Sequence, residues 1–187
     1  MKLTFATQNK HKFEEAQAVL SKHNIQVEQL SVSKVEDKEK PMHEIAMSAA
    51  QQLANKHKKP IMVDDTGIFF TAYNNFPGAN PRLMFGCLGY EGLLKLLAGK
   101  SRDACFLCCL GFCMPKKKPM LFEGKLEGHI TLVPFNMEKD VMPYERIFVP
   151  KGKTHTLSSM TREQKNEISH RAQAFEKLAA YLLKNRL

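Results

Sequence analysis

Asp64 and Asp65 stand side by side in the stretch VDDTGIFF, between Ile61, Met62, Val63 and Ile68, Phe69, Phe70. Adjacent carboxylates repel, and burying either costs free energy unless a cation or donor compensates. Such a pair suits a hard cation such as Mg2+, which takes oxygen ligands. It also suits a carboxylate base that takes a proton from water. A plain turn is an equal reading, since Asp, Thr and Gly are turn residues.

Two further clusters are polar where a purely structural chain has little need of it. ATQNKHK joins a first strand to a first helix, so Thr7 and Asn9 sit at a helix N-terminus with Lys10 and Lys12 nearby. Free N–H groups there favour an anion. The segment is no Walker loop, because it lacks the glycines and the G-K-[ST] ending. EISHRAQAF places His170 and Arg171 at the start of another helix, and Arg offers a planar fork for phosphate or a base carbonyl. Each cluster alone could be an ordinary helix cap. Together they supply cationic donors, a seat for a divalent ion and helix N-termini, the set that phosphoryl chemistry on a nucleotide demands.

The elements that must position these residues are legible in the periodicity. KLTFA (2–6), IQVEQL (25–30), PIMV (60–63), GIFFTA (67–72) and RIFVP (146–150) read as strands, the third and fourth being possibly one strand broken at the acidic pair. The long segments 102–114 and 120–134 read as a hairpin around PKKKP. Helices are expected over 9–23, about 43–57, 91–99 and from Ser169 onward, where Ala172, Phe175, Ala179 and Leu182 mark one face. FPGANP (76–81) is turn material, and Thr161 to Gln164 has the spacing of a capping box. Alternating strands and helices followed by long strands predict one α/β domain over residues 1–187 with a mixed sheet.

The chain has 187 residues, 43% of them hydrophobic, enough for a real core. Lys and Arg number 28 against 19 Asp and Glu, a formal +9 that attracts polyanions such as nucleotides; nucleic-acid binding is a less favoured use of the same charge. No run approaches the roughly 18 apolar residues that span a bilayer. MKLTFATQNKHKFEE turns polar too early for a signal peptide, so a soluble, cytoplasmic protein without membrane partners is expected. Four of five cysteines crowd into CFLCCLGFC (105–113). On a strand Cys105, Cys109 and Cys113 share a face at roughly 13 Å spacing, too far to gather on one zinc ion. Buried, reduced thiols are expected, as in a reducing compartment.

TQNKHKFEE fits a T-x-N-x-x-K-x-x-E pattern through Thr7, Asn9, Lys12 and Glu15, and VDDTGIFFTAYNNFPG fits two acids, Ser or Thr, Gly, a short strand and a Pro-Gly turn. KNEISHRAQAF carries an S-H-R signature. In this order and spacing the three motifs resemble the inosine triphosphate pyrophosphatase family, which hydrolyses non-canonical purine nucleoside triphosphates. The likeness runs from residue 2 to about residue 184. It implies an elongated mixed β-sheet flanked by helices, in two lobes with a central cleft, and a homodimer. It implies that Thr7, Gln8, Asn9, Lys10, His11 and Lys12 hold the triphosphate, with Thr66 and Arg82 also on the substrate. Asp64 and Glu36 would hold Mg2+ beside Asp65, with Asp37 an alternative to Glu36, and Asp65 would be the base for water. Lys165, His170 and Arg171 would close over phosphate and base.

Two departures from the family pattern stand out. Ala49 occupies a position where many relatives have Lys. MPYE (142–145) replaces a Phe-Gly-aromatic-Asp run, which leaves Tyr144 to stack on a base and Glu145 to accept from it. A septum-inhibitor-type pyrophosphatase acting on modified nucleotides, or a non-catalytic nucleotide- or RNA-binding protein, are the competing readings.

Overall fold

The computed structural model describes residues 1–32, 40–74 and 76–186. Its strands β1 (Lys2–Ala6), β2 (Gln26–Leu30), β3 (Ile61–Phe70), β5 (Asp103–Cys113), β6 (Met120–Ile130) and β7 (Phe148–Pro150) form a mixed sheet in the order β2-β1-β3-β5-β6-β7. The short strand β4 (Phe76–Gly78) pairs antiparallel with β3. β1 runs parallel to both β2 and β3, so each connection must cross a face of the sheet. Helices α1 (Lys10–Leu20) and α2 (Met42–His57) make those crossings. Helices α3 (Pro81–Leu96), α4 (Arg162–Ile168) and α5 (His170–Lys184) complete the fold.

The chain divides into two compact units. The first holds residues 1–66, 108–124 and 169–187; the second holds 67–107 and 125–168. In the first unit the period-2 alternation of β3 sorts its side chains. Met62 joins Leu3, Phe5, Leu110 and Phe112 in a cluster with Val19, Leu20, Phe175 and Leu178 from α1 and α5. Ile61 and Val63 point the other way, onto Ala49, Ala50 and Ala54 of α2. Two glycines allow the helices to come this close. A Cβ on Gly124 of β6 would lie 1.9 Å from the His170 carbonyl oxygen, and one on Gly111 of β5 would lie 2.2 Å from that of Ala46. In the second unit Ile68, Phe70, Phe106, Leu126 and Phe148 pack with Leu93 and Leu97.

Three expectations change. The acidic pair lies inside one unbroken strand of ten residues, so it is neither a turn nor a strand end. FPGANP contributes a strand as well as a turn. The helix expected over 91–99 begins ten residues earlier, at Pro81, and kinks at Gly89, where φ is 59°.

Candidate active site

The loop from β1 into α1 is tightly held. The Thr7 amide donates to the Leu30 carbonyl (3.1 Å), and the Thr7 carbonyl accepts from Gln29 Nε2 (2.9 Å). Asn9 caps α1, its Oδ1 accepting from the Lys12 amide at 3.2 Å, and the Asn9 amide donates to Thr7 Oγ1 at 3.2 Å. Gln8 and Lys10 are exposed and His11 is half-buried at this helix N-terminus. At the other junction Ser169 caps α5 by accepting from the Ala172 amide at 3.0 Å, which sets His170 and Arg171 into the first turn.

These two helix starts converge on Asp64, whose side chain is fully buried. Asp64 Oδ2 lies 2.9 Å from Lys12 Nζ and 3.1 Å from Arg171 Nε, and accepts from Thr66 Oγ1 at 3.0 Å. Arg171 also reaches Glu15 Oε2 through Nη1 at 2.6 Å and Thr66 Oγ1 through Nη2 at 3.3 Å. Two cations and two carboxylates thus cancel within one buried network, the condition under which buried charge is tolerable. Burial opposes the charge on Arg171, but Glu15 and Asp64 outweigh it and hold the guanidinium firmly protonated. Burial and the Arg171 charge push His170 well below the usual histidine range, so it is a neutral imidazole. Burial, reinforced by Asp64, pushes the Cys108 thiol up to about 12. Of the four charged members Lys12 has the most access to solvent, with 18% of its side chain exposed.

Asp65 belongs to a different setting. Neighbours on a strand face opposite ways, and Asp65 is half-buried on the side of Cys109 rather than in the network. Its Oδ1 accepts from the Thr66 amide at 3.0 Å. Cys109, raised by burial and by its hydrogen bond to Glu123, is also a protonated thiol. Asp64, Asp65 and Glu15 supply oxygen ligands of the type Mg2+ takes. Among the described residues no cluster of three or more His, Cys, Asp or Glu is arranged to hold a metal unaided. A site finished by substrate phosphates, the usual manner for Mg2+, is consistent with these donors. Glu36 and its alternative Asp37 lie outside the described residues.

A family model described as the Ham1 family matches residues 3–181. The chain belongs to the Ham1 family. It is similar to the dITP/XTP pyrophosphatase of Methanopyrus kandleri, 36% identical over 99% of this chain and 98% of that one. It is also similar to the inosine triphosphate pyrophosphatase of Yarrowia lipolytica, 34% identical over 97% and 96%. A solved Ham1 protein from Coxiella burnetii shares the fold, with a TM-score of 0.79 at 24% identity over 98% of this chain and 99% of that chain.

The Ham1 motifs that gather in the first unit are Thr7 to Lys12, Asp64 to Thr66, and His170 with Arg171. In the second unit Lys165 Nζ and Glu145 Oε2 form a half-hidden ion pair at 2.9 Å. Tyr144 is seated in the core, its ring edge-on to Phe70 and Phe85 and its hydroxyl donating to the Pro81 carbonyl at 3.0 Å. That seat replaces the open stacking surface expected for it. Arg82 is exposed in the first turn of α3. Ala49, at the position of the family lysine, is buried against β3.

Two residues have a part that sequence reasoning did not assign. Glu15 entered the motif without a role, and it is the second anchor of Arg171; its spacing of three from Lys12 on one helix face was the available signal. Cys108 was read as a plain core thiol, and it lies among Asp64, Arg171, Lys12 and Thr66. Only strand alternation hinted at that.

Proposed function

We propose that this protein hydrolyses non-canonical purine nucleoside triphosphates, inosine, deoxyinosine and xanthosine triphosphates, to the monophosphate and pyrophosphate. The observation that carries the reading is the convergence of three Ham1 motifs on one buried carboxylate, with the capped N-terminus of α1 and Lys12 beside it. Full-length relatives named for this activity support the substrate class.

In this mechanism the N–H groups of the first turn of α1, with Lys12, hold triphosphate oxygens. Asp65, half-exposed and outside the charge network, takes the proton of the water that attacks the α-phosphorus. Pyrophosphate leaves under the charge of Lys12, Lys165 and Arg82, and the nucleoside monophosphate remains. Asp64, Asp65 and Glu36 hold Mg2+, which neutralises charge on phosphate oxygens when bound. Selection against adenine follows if donors meet a 6-oxo group, because a 6-amino group leaves them unpaired. A cytoplasmic homodimer is part of the same reading; the five free cysteines agree with a reducing compartment.

A nucleotide panel tests this reading. Inosine, deoxyinosine and xanthosine triphosphates should be turned over with Mg2+, while ATP and modified pyrimidine triphosphates lag by roughly a hundredfold or more in kcat/KM, the discrimination that unpaired buried donors give. Preference for modified pyrimidines would move the protein to the septum-inhibitor type, and absence of all turnover would leave a nucleotide binder.

A further inference from the structure

We propose that Thr66 is a positioning residue that fixes both aspartates and Arg171, and that it makes no hydrogen bond to substrate. The inference rests on the pyrophosphatase reading of this site and departs from the expectation that Thr66 touches the nucleotide.

The argument is one of donors. A threonine has two, its hydroxyl proton and its backbone N–H, and its hydroxyl oxygen has two acceptor positions. The hydroxyl proton goes to Asp64 Oδ2 at 3.0 Å, and the backbone N–H goes to Asp65 Oδ1 at 3.0 Å. One acceptor position takes Arg171 Nη2 at 3.3 Å, and the Cys108 thiol lies against the same hydroxyl. A phosphate oxygen needs a donor, and Thr66 has spent both. Thr7 makes the contrast: its hydroxyl accepts from the Asn9 amide, which leaves its own proton to give.

The same bonds give Thr66 its role. Asp64 and Asp65 face opposite sides of β3, and Thr66 contacts both, one through its side chain and one through its backbone. Its hydroxyl ties Asp64 to Arg171 from a third direction, in addition to the direct contact at 3.1 Å. A methyl in place of that hydroxyl leaves the Asp65 bond intact and frees the Asp64 carboxylate and the guanidinium to turn.

The test compares Thr66→Val with Thr66→Ser by three readouts: inosine triphosphate kinetics, calorimetric binding of inorganic tripolyphosphate without metal, and the Arg171 side-chain Nε–H signal in 1H–15N spectra. Positioning predicts that Thr66→Val moves the Arg171 signal and holds tripolyphosphate Kd within about twofold. It also predicts a kcat lower by roughly tenfold to a hundredfold, as for a misplaced catalytic group, with Thr66→Ser restoring both signal and kcat. A tripolyphosphate Kd weakened about tenfold by Thr66→Val, the size of a lost bond to a charged group, would overturn the proposal. So would an Arg171 signal that stays in place. Thr66→Ala gives the same spectral and binding readouts should Thr66→Val not fold. Wild-type protein inert toward every triphosphate would sink the pyrophosphatase reading, while the spectral and binding readouts would still decide the role of Thr66.

Discussion

Asp64 and Asp65 are chemically alike and one residue apart, yet their surroundings give them different work. Asp64 is fully buried and balances Lys12 and Arg171; Asp65 is half-buried and outside that balance. Asp64→Asn should therefore destabilise the fold by about 3–5 kcal/mol in urea denaturation, the cost of leaving buried partners uncompensated. Asp65→Asn should unfold at the wild-type urea midpoint and lose roughly 10²–10⁴-fold in kcat, the range of a general base. Equal stability losses in the two variants would contradict this division. The sequence showed that two carboxylates sat in an apolar run and that a cation must compensate them. It did not show that the cations come from the protein itself, because the Asp64 partner Arg171 is 107 residues away and Glu15 is 156 from Arg171. Tyr144 shows the opposite error: its aromatic ring was read as a base platform, and a backbone carbonyl at Pro81 claims its hydroxyl.

Strand–helix junctions carry the site at the scale of elements, and close packing holds the junctions. Gly124→Ala should push the first turn of α5 away from β6, since a Cβ there would meet backbone at 1.9 Å. A loss of roughly 1–3 kcal/mol, typical of overpacking, is expected with a drop in kcat, both readable from denaturation and turnover of one preparation. The edge pair β1–β2 has its own fastening. Lys2, then Lys59 and Thr4, hold the Glu28 carboxyl down to about 2 from its ordinary 4.5. A depressed carboxyl stabilises fully above its unfolded value and loses that contribution as pH falls through the folded one. The Tm gap between wild type and Glu28→Gln should hold from pH 7 to about 5 and close toward pH 2; a gap that widened on acidification would refute the assignment. Boundaries of β1, β2, α1, α2 and α5 were readable because apolar residues repeat cleanly there. The first half of α3 was not, because Gly86 and Gly89 interrupt its apolar rhythm and Pro81 looks like the end of a turn rather than a helix start.

At the scale of the whole molecule, two compact units share strands β3, β5 and β6, and the Ham1 motifs from both ends of the chain meet in the first of them. The mixed sheet flanked by helices was legible from the order of elements, and the family from three short motifs. The division into units was not legible from periodicity, since it cuts through strands rather than linkers. A formal +9 suits a polyanionic substrate. The central claim is attack by water at the α-phosphorus, and isotope placement tests it most directly. Inosine triphosphate hydrolysed by the full chain in 18O-labelled water should give one labelled oxygen in the monophosphate and none in pyrophosphate. Label in pyrophosphate, or inosine diphosphate with labelled phosphate, would contradict the account.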